Sequence, residues 1–412
     1  MKTKLSFLIL MLIASIGTSL ASDTSVDGIW YTFNSSALTA AVTYRGTSYN
    51  SYSNEYTGVV NIPSSVTYSG KTYSVTSIGV SAFKECTGLT SVEIPNSVTS
   101  IGYEAFYKCT GLTSVIIGNG VTSIKDWAFY YCTGLTSVTI PNSVTSLGTA
   151  FYNCSNLASL TIGNGVTSIA DYTFYNCENL KSVNIPNSVT SIGKSAFESC
   201  TSLTSVIIGN SVTSIGANAF YNCKSLTSVT IPNSVTSLGA KAFYNCSNLA
   251  SLTIGNGVTS IANYTFYNCE NLKSVNIPNS VTSIGYSAFY NCKSLTSVTI
   301  PNSVTSLGDE AFYNCSNLAS LTIPNSVTSI GDAAFIGCSG LKKITLNSDA
   351  IVSKSYYYSD KGLRDMFGDQ VSEYVLGDAI TKIGECAFEN CDSLTSVTIS
   401  NSMSHPKKSR HI

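Results

Sequence analysis

The chain is short of charge. Asp, Glu, Lys and Arg make up 11% of its 412 residues, against about 25% in an average globular domain. The 22 basic and 23 acidic residues leave a net charge of −1. Nucleic acid selects clustered Lys and Arg, so this balance excludes it as a partner. Histidine is scarcer still. The only two are His405 and His411, near the C-terminus. The body of the chain therefore cannot hold a Ser-His-Asp or Cys-His catalytic site, or a histidine-based metal site. It carries no G-x-G-x-x-G, no Walker loop, no H-E-x-x-H and no C-x-x-C. These absences argue against an enzyme and against any cofactor or metal. Disorder of the chain as a whole is argued against as well, because 43% of the residues are hydrophobic and disordered chains are apolar-poor and charge-rich.

What is present begins with a leader. Lys2 and Lys4 form a positive n-region, Phe7 to Ile16 an apolar core, and Ser19-Leu20-Ala21 a small-residue cleavage site. Residues 1–22 read as a secretory signal. The rival is an uncleaved anchor, but a spanning helix needs about 20 apolar residues and the run is shorter. No later segment is apolar enough to span. The expected location is secreted or at the cell surface, with no transmembrane segment after cleavage.

The rest of the chain is a repeat, the feature to seek first in any sequence. A Phe recurs at 83, 106, 129, 151, 174, 197, 220, 243, 266, 289, 312 and 335, every 23 residues apart from one step of 22. Phe388 follows after 53 residues, so an insertion interrupts the array. In the unit Leu226 to Cys246, Leu226, Val229 and Ile231 fit a leucine-rich-repeat strand. Ser228 and Thr230 alternate outward. Pro232, or a Gly in its place, ends the strand. Val235 and Leu238 pack a return side, Gly239 permits a turn, and Ala242, Phe243 and Cys246 drop inward. No unit can bury eight inward residues alone, so neighbours must stack. A longer period overlies this one: Phe151–Ala170 recurs letter for letter at Phe243–Ala262.

The expected architecture is a mostly β leucine-rich-repeat solenoid with short turns or 3-10 segments and 23-residue rungs along residues 76–400. Residues 23–75 form a β-hairpin cap and partial rung. Residues 347–370 are an insertion, read as a loop with a short helix on one flank, and 401–412 a disordered basic tail.

Four columns of residues are candidates for structure or function. Thirteen of the fourteen cysteines lie three residues after a repeat Phe. Equivalent positions in stacked rungs are about 4.8 Å apart, wide of disulfide geometry. Buried, reduced thiols are therefore expected. An Asn follows the strand-ending Pro or Gly, from Asn96 to Asn325, and stacked amides can bond from rung to rung. A Tyr follows the repeat Phe at Tyr107, Tyr130, Tyr152, Tyr175, Tyr221, Tyr244, Tyr267, Tyr290 and Tyr313. This predicts a tyrosine stripe, either an edge that shields the core or a contact surface. The outward strand face is rich in hydroxyls. Glu93, Ile116, Asn184, Ile207 and Asn276 vary along it, with Lys181 and Lys273 at the strand starts.

The unit L-T-S-V-x-I-P-N-S-V-T-S-I-G-x-x-A-F-x-x-C resembles the BspA-like leucine-rich-repeat surface proteins over about residues 75–400. That resemblance implies exported proteins of host-associated anaerobic bacteria, acting as adhesins toward host matrix or plasma proteins or toward other microbes. It brings no catalytic residues. The function expected is adhesion to extracellular host proteins or microbial surfaces. The alternatives are glycan binding by the tyrosine stripe, a structural spacer without a ligand, and, more remotely, ice binding by the Ser/Thr ladders.

Overall fold

The computed structural model describes residues 24–50, 54–356 and 361–399. The leader, Tyr357 and Tyr358 of the insertion, and the basic tail lie outside the described residues. Within them the chain is a leucine-rich-repeat solenoid, its strands paired in parallel from rung to rung, mostly at steps of 23 residues, with one step of 22 and longer steps at the first rung and the insertion.

Each rung contributes to two parallel sheets. The longer strands, such as Ser228–Ile231, alternate exposed and buried residues, as the period of two requires. The return side forms a second ladder of two-residue strands. Ser100–Ile101, Ser123–Ile124 and Ser146–Leu147 pair in register. The sequence reading gave this side only apolar packing. Its pairing is extended by Thr side chains: Thr122 Oγ1 donates to Thr99 O at 3.1 Å, and Thr213 Oγ1 to Thr190 O at 3.1 Å.

The turn carrying the Ala-Phe pair explains most of the chain's unusual backbone. In most rungs two residues, two before and two after the Phe, have positive φ, for example Asn218 (58°) and Asn222 (61°), while the rung of Phe151 has only Asn153. In consequence alternate N–H groups point along the stacking axis. Asn218, Phe220 and Asn222 donate to Ala240, Ala242 and Tyr244 of the next rung at 2.8–3.0 Å. Between them, Ala219 and Tyr221 close local turns onto Gly216 and Asn218. No backbone donor of the turn is wasted, which a buried turn demands.

The core is a column. The repeat Phe rings from Phe83 to Phe335 stack at 4.8–5.6 Å with interplanar angles of 1–16°. At the N-terminal end Tyr56 closes the column, its ring 4.4 Å from Phe83. The Tyr56 hydroxyl donates to Thr43 O (2.7 Å) and accepts from Trp30 N–H (3.0 Å). It thereby ties the first rung to an antiparallel cap, β1 (Ser25–Val26), β2 (Ile29–Asn34) and β3 (Thr39–Thr43). Replacing a mid-column ring leaves a hole that identical neighbours cannot fill. Phe220→Ala is expected to cost about 3–5 kcal/mol. Because rungs touch only their neighbours, that cost should split urea unfolding into two transitions. A single transition with an unshifted midpoint would count against the column as the source of cohesion.

The insertion is a long rung. Strand Lys343–Leu346 pairs with Glu373–Leu376, a step of 30 residues. Its extra length holds two short helices, α1 (Asp349–Val352) and α2 (Leu363–Phe367). Met366 and Phe367 take the Ala-Phe place. Phe335 N–H donates to Met366 O at 2.8 Å, and the Phe367 ring stacks on Phe335 at 5.4 Å. So Phe367, rather than Phe388, continues the column. Phe388 meets Tyr374 edge-on at 5.2 Å.

Candidate functional site

The outward strand residues form one surface. Glu93 lies opposite Ile116, and Asn184 opposite Ile207, in register. Asn276 occupies the same column, paired with Thr299. Ile116 and Ile207 are 57% and 61% exposed. Lys181 and Lys273 are exposed at the strand starts, and their carbonyls accept from Thr204 and Thr296. These residues are brought onto one face but converge on no pocket.

The tyrosine column lies on a different segment of each rung, just past the Phe. Tyr107, Tyr130, Tyr152 and Tyr175 stack at 4.5–5.1 Å. Tyr221, Tyr244, Tyr267, Tyr290 and Tyr313 stack at 4.5–4.8 Å. Glu198 occupies the column between the two runs. The rings are half-buried, and burial followed by neighbouring hydroxyls raises the ionisation of Tyr130 and Tyr152, and of Tyr267 to about 12. These three rings therefore present neutral hydroxyl donors at physiological pH. At its head the Lys84 ammonium sits over the rings of Tyr49 (4.0 Å) and Tyr107 (4.7 Å) and bonds Glu104 at 2.5 Å.

A second set of rings flanks the stripe, and sequence reasoning missed it. Trp127, Tyr172 and Tyr264 all occupy the left-handed position two residues before the Phe. Each is tilted against a stripe tyrosine at 5.8–6.2 Å. Tyr103 joins Trp127 at 5.2 Å. The position varies in the repeat (Ser, Glu, Asn, Lys and Ala stand there elsewhere), so periodicity gives no signal for it.

The asparagines after the strand end work differently from the expected amide stack. Asn96, Asn142, Asn187 and Asn233 accept backbone N–H bonds from the next rung at 2.7–2.8 Å. Amide-to-amide bonds run in the column two residues past the Phe, as from Asn245 to Asn222 and Asn291 to Asn268, both 2.8 Å. There a positive φ, which Asn tolerates, aims the side chain along the axis.

These features place the chain among known proteins. A model described as BspA type leucine rich repeat region (6 copies) matches residues 48–177, 148–273, 236–364 and 366–409. The chain belongs to the BspA-type leucine-rich-repeat family. A solved leucine-rich-repeat protein from Bacteroides ovatus is 28% identical, covering 86% of this chain and all of that one, with a TM-score of 0.56. A leucine rich cell surface protein from Faecalibacterium prausnitzii is 29% identical over 93% of this chain and 95% of that one, with a TM-score of 0.49. The pneumococcal vaccine antigen PcpA shares the fold at 21% identity, covering 93% of this chain and all of that one, with a TM-score of 0.56. No curated protein sequence matches the chain. Among the described residues no helix is long and apolar enough to cross a membrane, and no cluster of three or more His, Cys, Asp or Glu could hold a metal.

In this BspA-type array the cysteines form a ladder of their own. Each Sγ from Cys109 to Cys338 donates to the repeat Phe carbonyl one rung back, as Cys109 to Phe83 O (2.9 Å) and Cys223 to Phe197 O (3.2 Å). Burial pushes the thiols up, Cys154, Cys200 and Cys246 to about 12. A neutral thiol is a poor nucleophile. Only Cys386 is exposed, and Cys391 is half-covered. By exposure alone, native protein should label first with a thiol reagent at Cys386, whose thiol is also raised, and more slowly at Cys391, and fourteen thiols should react in denaturant. A denatured count well below fourteen would mean disulfides.

Proposed function

We propose that this is a non-enzymatic, exported or surface-associated adhesion protein. It holds extracellular host proteins or microbial surfaces through many weak contacts along the solenoid. The observation that carries this reading is the tyrosine stripe: nine rings in two stacked runs, half-exposed and uncharged, spaced at one per rung. Tyr offers large contact area at low entropic cost, and repetition along a rigid rod turns weak contacts into avidity. The leader read at residues 1–22 supports export, and the family resemblance implies the same compartment. The threonine hydroxyls and asparagine amides that could serve chemistry are largely engaged in rung-to-rung bonds, which supports a non-enzymatic role.

The test is saturable binding of the mature protein to immobilised matrix proteins, plasma proteins and microbial cells. Alanine at Tyr152, Tyr175, Tyr244 and Tyr267 together should weaken that binding about tenfold or more, as loss of clustered aromatic anchors does. Failure to bind any of these surfaces would sink the reading.

A further inference from the structure

Among the exposed aromatics, those around Trp127 are arranged as a site. Tyr103, Trp127 and Tyr131 are 37–41% exposed. Trp127 meets Tyr103 at 5.2 Å and Tyr130 at 6.2 Å, with tilts of 43° and 56°, and Tyr131 meets Tyr130 at 5.7 Å. Of these rings Tyr103 lines an open groove of about 630 Å³, and Trp127 packs on Tyr103 beside it. The groove is lined by Tyr103 together with Ser77, Ser100, Ser146, Lys125 and Asp126.

A separate observation marks the same rings. Trp127 has φ 59° and Tyr131 φ 60°, a backbone conformation in which a bulky residue is strained and Asn or Gly is at ease. Other rungs place Ser195, Asn218 or Ser287 at the position of Trp127, so the fold does not call for an indole there. Strain of this kind concentrates at functional sites. The arrangement also recurs. Tyr172 (φ 58°) tilts against Tyr175 at 6.0 Å, and Tyr264 (φ 58°) against Tyr267 at 5.8 Å. They lie two and then four rungs further along, about 10 and 19 Å at rung spacing.

Charge narrows the ligand. Lys84 is paired with Glu104, Lys108 with Glu85 at 3.8 Å, and the groove holds Lys125 and Asp126, one of each sign. Such a surface offers nothing to a polyanion or a polycation. An apolar peptide would strand the serine hydroxyls and the two charges without partners, at a cost in desolvation. A sugar ring has an apolar C–H face that stacks on aromatics and a rim of hydroxyls that suits Ser, Asp and Lys. A linear chain of sugars could also reach the Tyr172 and Tyr264 clusters.

We propose that the groove lined by Tyr103, with the Trp127 ring packed on Tyr103 at its edge, is a binding site for neutral glycans, and that the Tyr172 and Tyr264 clusters are further stacking subsites for the same chain. This names a ligand class for the adhesion reading above and rests on it for biological context. The binding chemistry can be tested apart from it.

The full-length mature protein carrying Trp30→Phe leaves Trp127 as the sole tryptophan, since the chain has two. Titrating it with a linear hexasaccharide of neutral hexoses should shift Trp127 emission saturably at millimolar sugar, and a sulfated hexasaccharide should not. In the otherwise native chain, Trp127→Asn should weaken hexasaccharide binding by calorimetry about tenfold, in line with loss of an aromatic stack. Its melting temperature should hold or rise, because Asn suits the left-handed backbone. Tyr103→Ala provides a second variant with the same expected loss. Capture of a matrix glycoprotein should fall after enzymatic deglycosylation. The proposal is overturned if emission does not respond to neutral sugar, or if deglycosylated glycoprotein and Trp127→Asn both bind at full strength. In that case adhesion through polypeptide contacts would still stand. Absence of binding to every cell and matrix surface, with the fluorescence response intact, would instead remove the adhesion reading and keep the glycan site.

Discussion

Raising the pH should unfold this protein abruptly, between about pH 9 and 10.5. The cause is the thiol ladder. An unfolded Cys releases its proton near pH 8.5. In the folded array the thiols from Cys109 to Cys338 are all raised, by burial at most of them and by contact with Cys315 and burial at Cys338. Cys109, Cys132, Cys177, Cys223, Cys269 and Cys315 are held well above that value. Each thiol of the ladder donates to a Phe carbonyl. Above pH 8.5 the unfolded state therefore binds fewer protons than the folded state, and stability falls as pH rises. The slope is about 1.4 kcal/mol per pH unit per thiol that stays protonated, with an upper bound of about 15 kcal/mol per unit for the eleven that donate in this way. That exceeds the 5–15 kcal/mol typical of a native domain within about one unit. Tyr56 and Tyr374, both raised by burial, act in the same direction. Urea midpoints followed by far-UV circular dichroism from pH 7 to 10.5 would measure the decline. Alanine at Cys154, Cys177, Cys200 and Cys223 should make it shallower by about a third. Equal midpoints at pH 8 and pH 10 would show that the ladder is not a set of protonated thiols.

Residues that repeat with a single role were legible in the sequence. Phe83 to Phe335 and Cys86 to Cys338 recur at one spacing and do one thing each, so spacing alone assigns them to the interior. The stripe tyrosines were legible for the same reason. Phe367 was not, because Met366-Phe367 lacks the flanking Ala and the following Cys, and the step from Phe335 matches no earlier one. Only the bond from Phe335 N–H to Met366 O and the ring contact at 5.4 Å identify it. The asparagine columns were assigned to the wrong partner for a conformational reason. Whether an amide reaches a neighbouring amide or a neighbouring N–H depends on the local backbone at each column, and composition does not carry that. Trp127, Tyr172 and Tyr264 stand at the rung's most variable position, where a search for repetition discards the informative letters. The left-handed backbone beneath them is what makes their identity notable.

Removing residues 151–242 should leave a shorter folded solenoid that binds its surfaces at least about tenfold more weakly. The junction is prepared by the sequence itself. Residues 151–193 and 243–285 differ only at Asp171 and Asn263, and these two do the same work. Asp171 Oδ1 accepts from Lys194 N–H at 2.7 Å, and Asn263 Oδ1 from Tyr286 N–H at 2.9 Å. Joining Ala150 to Phe243 thus recreates, rung for rung, contacts the native array already has, and nearest-neighbour stability is kept. The melting transition should stay cooperative and close to that of the full protein. Binding behaves otherwise. Four rungs, about 19 Å of rod, leave with Tyr152, Tyr175, Glu198 and Tyr221, so the nine rings in runs of four and five become a single run of six. Linked weak contacts multiply, so losing a third of the stripe costs more than a third of the affinity. Native circular dichroism with sharply reduced binding would tie affinity to the length of the stripe. Undiminished binding would place the contact in the parts that remain, among them the groove beside Trp127.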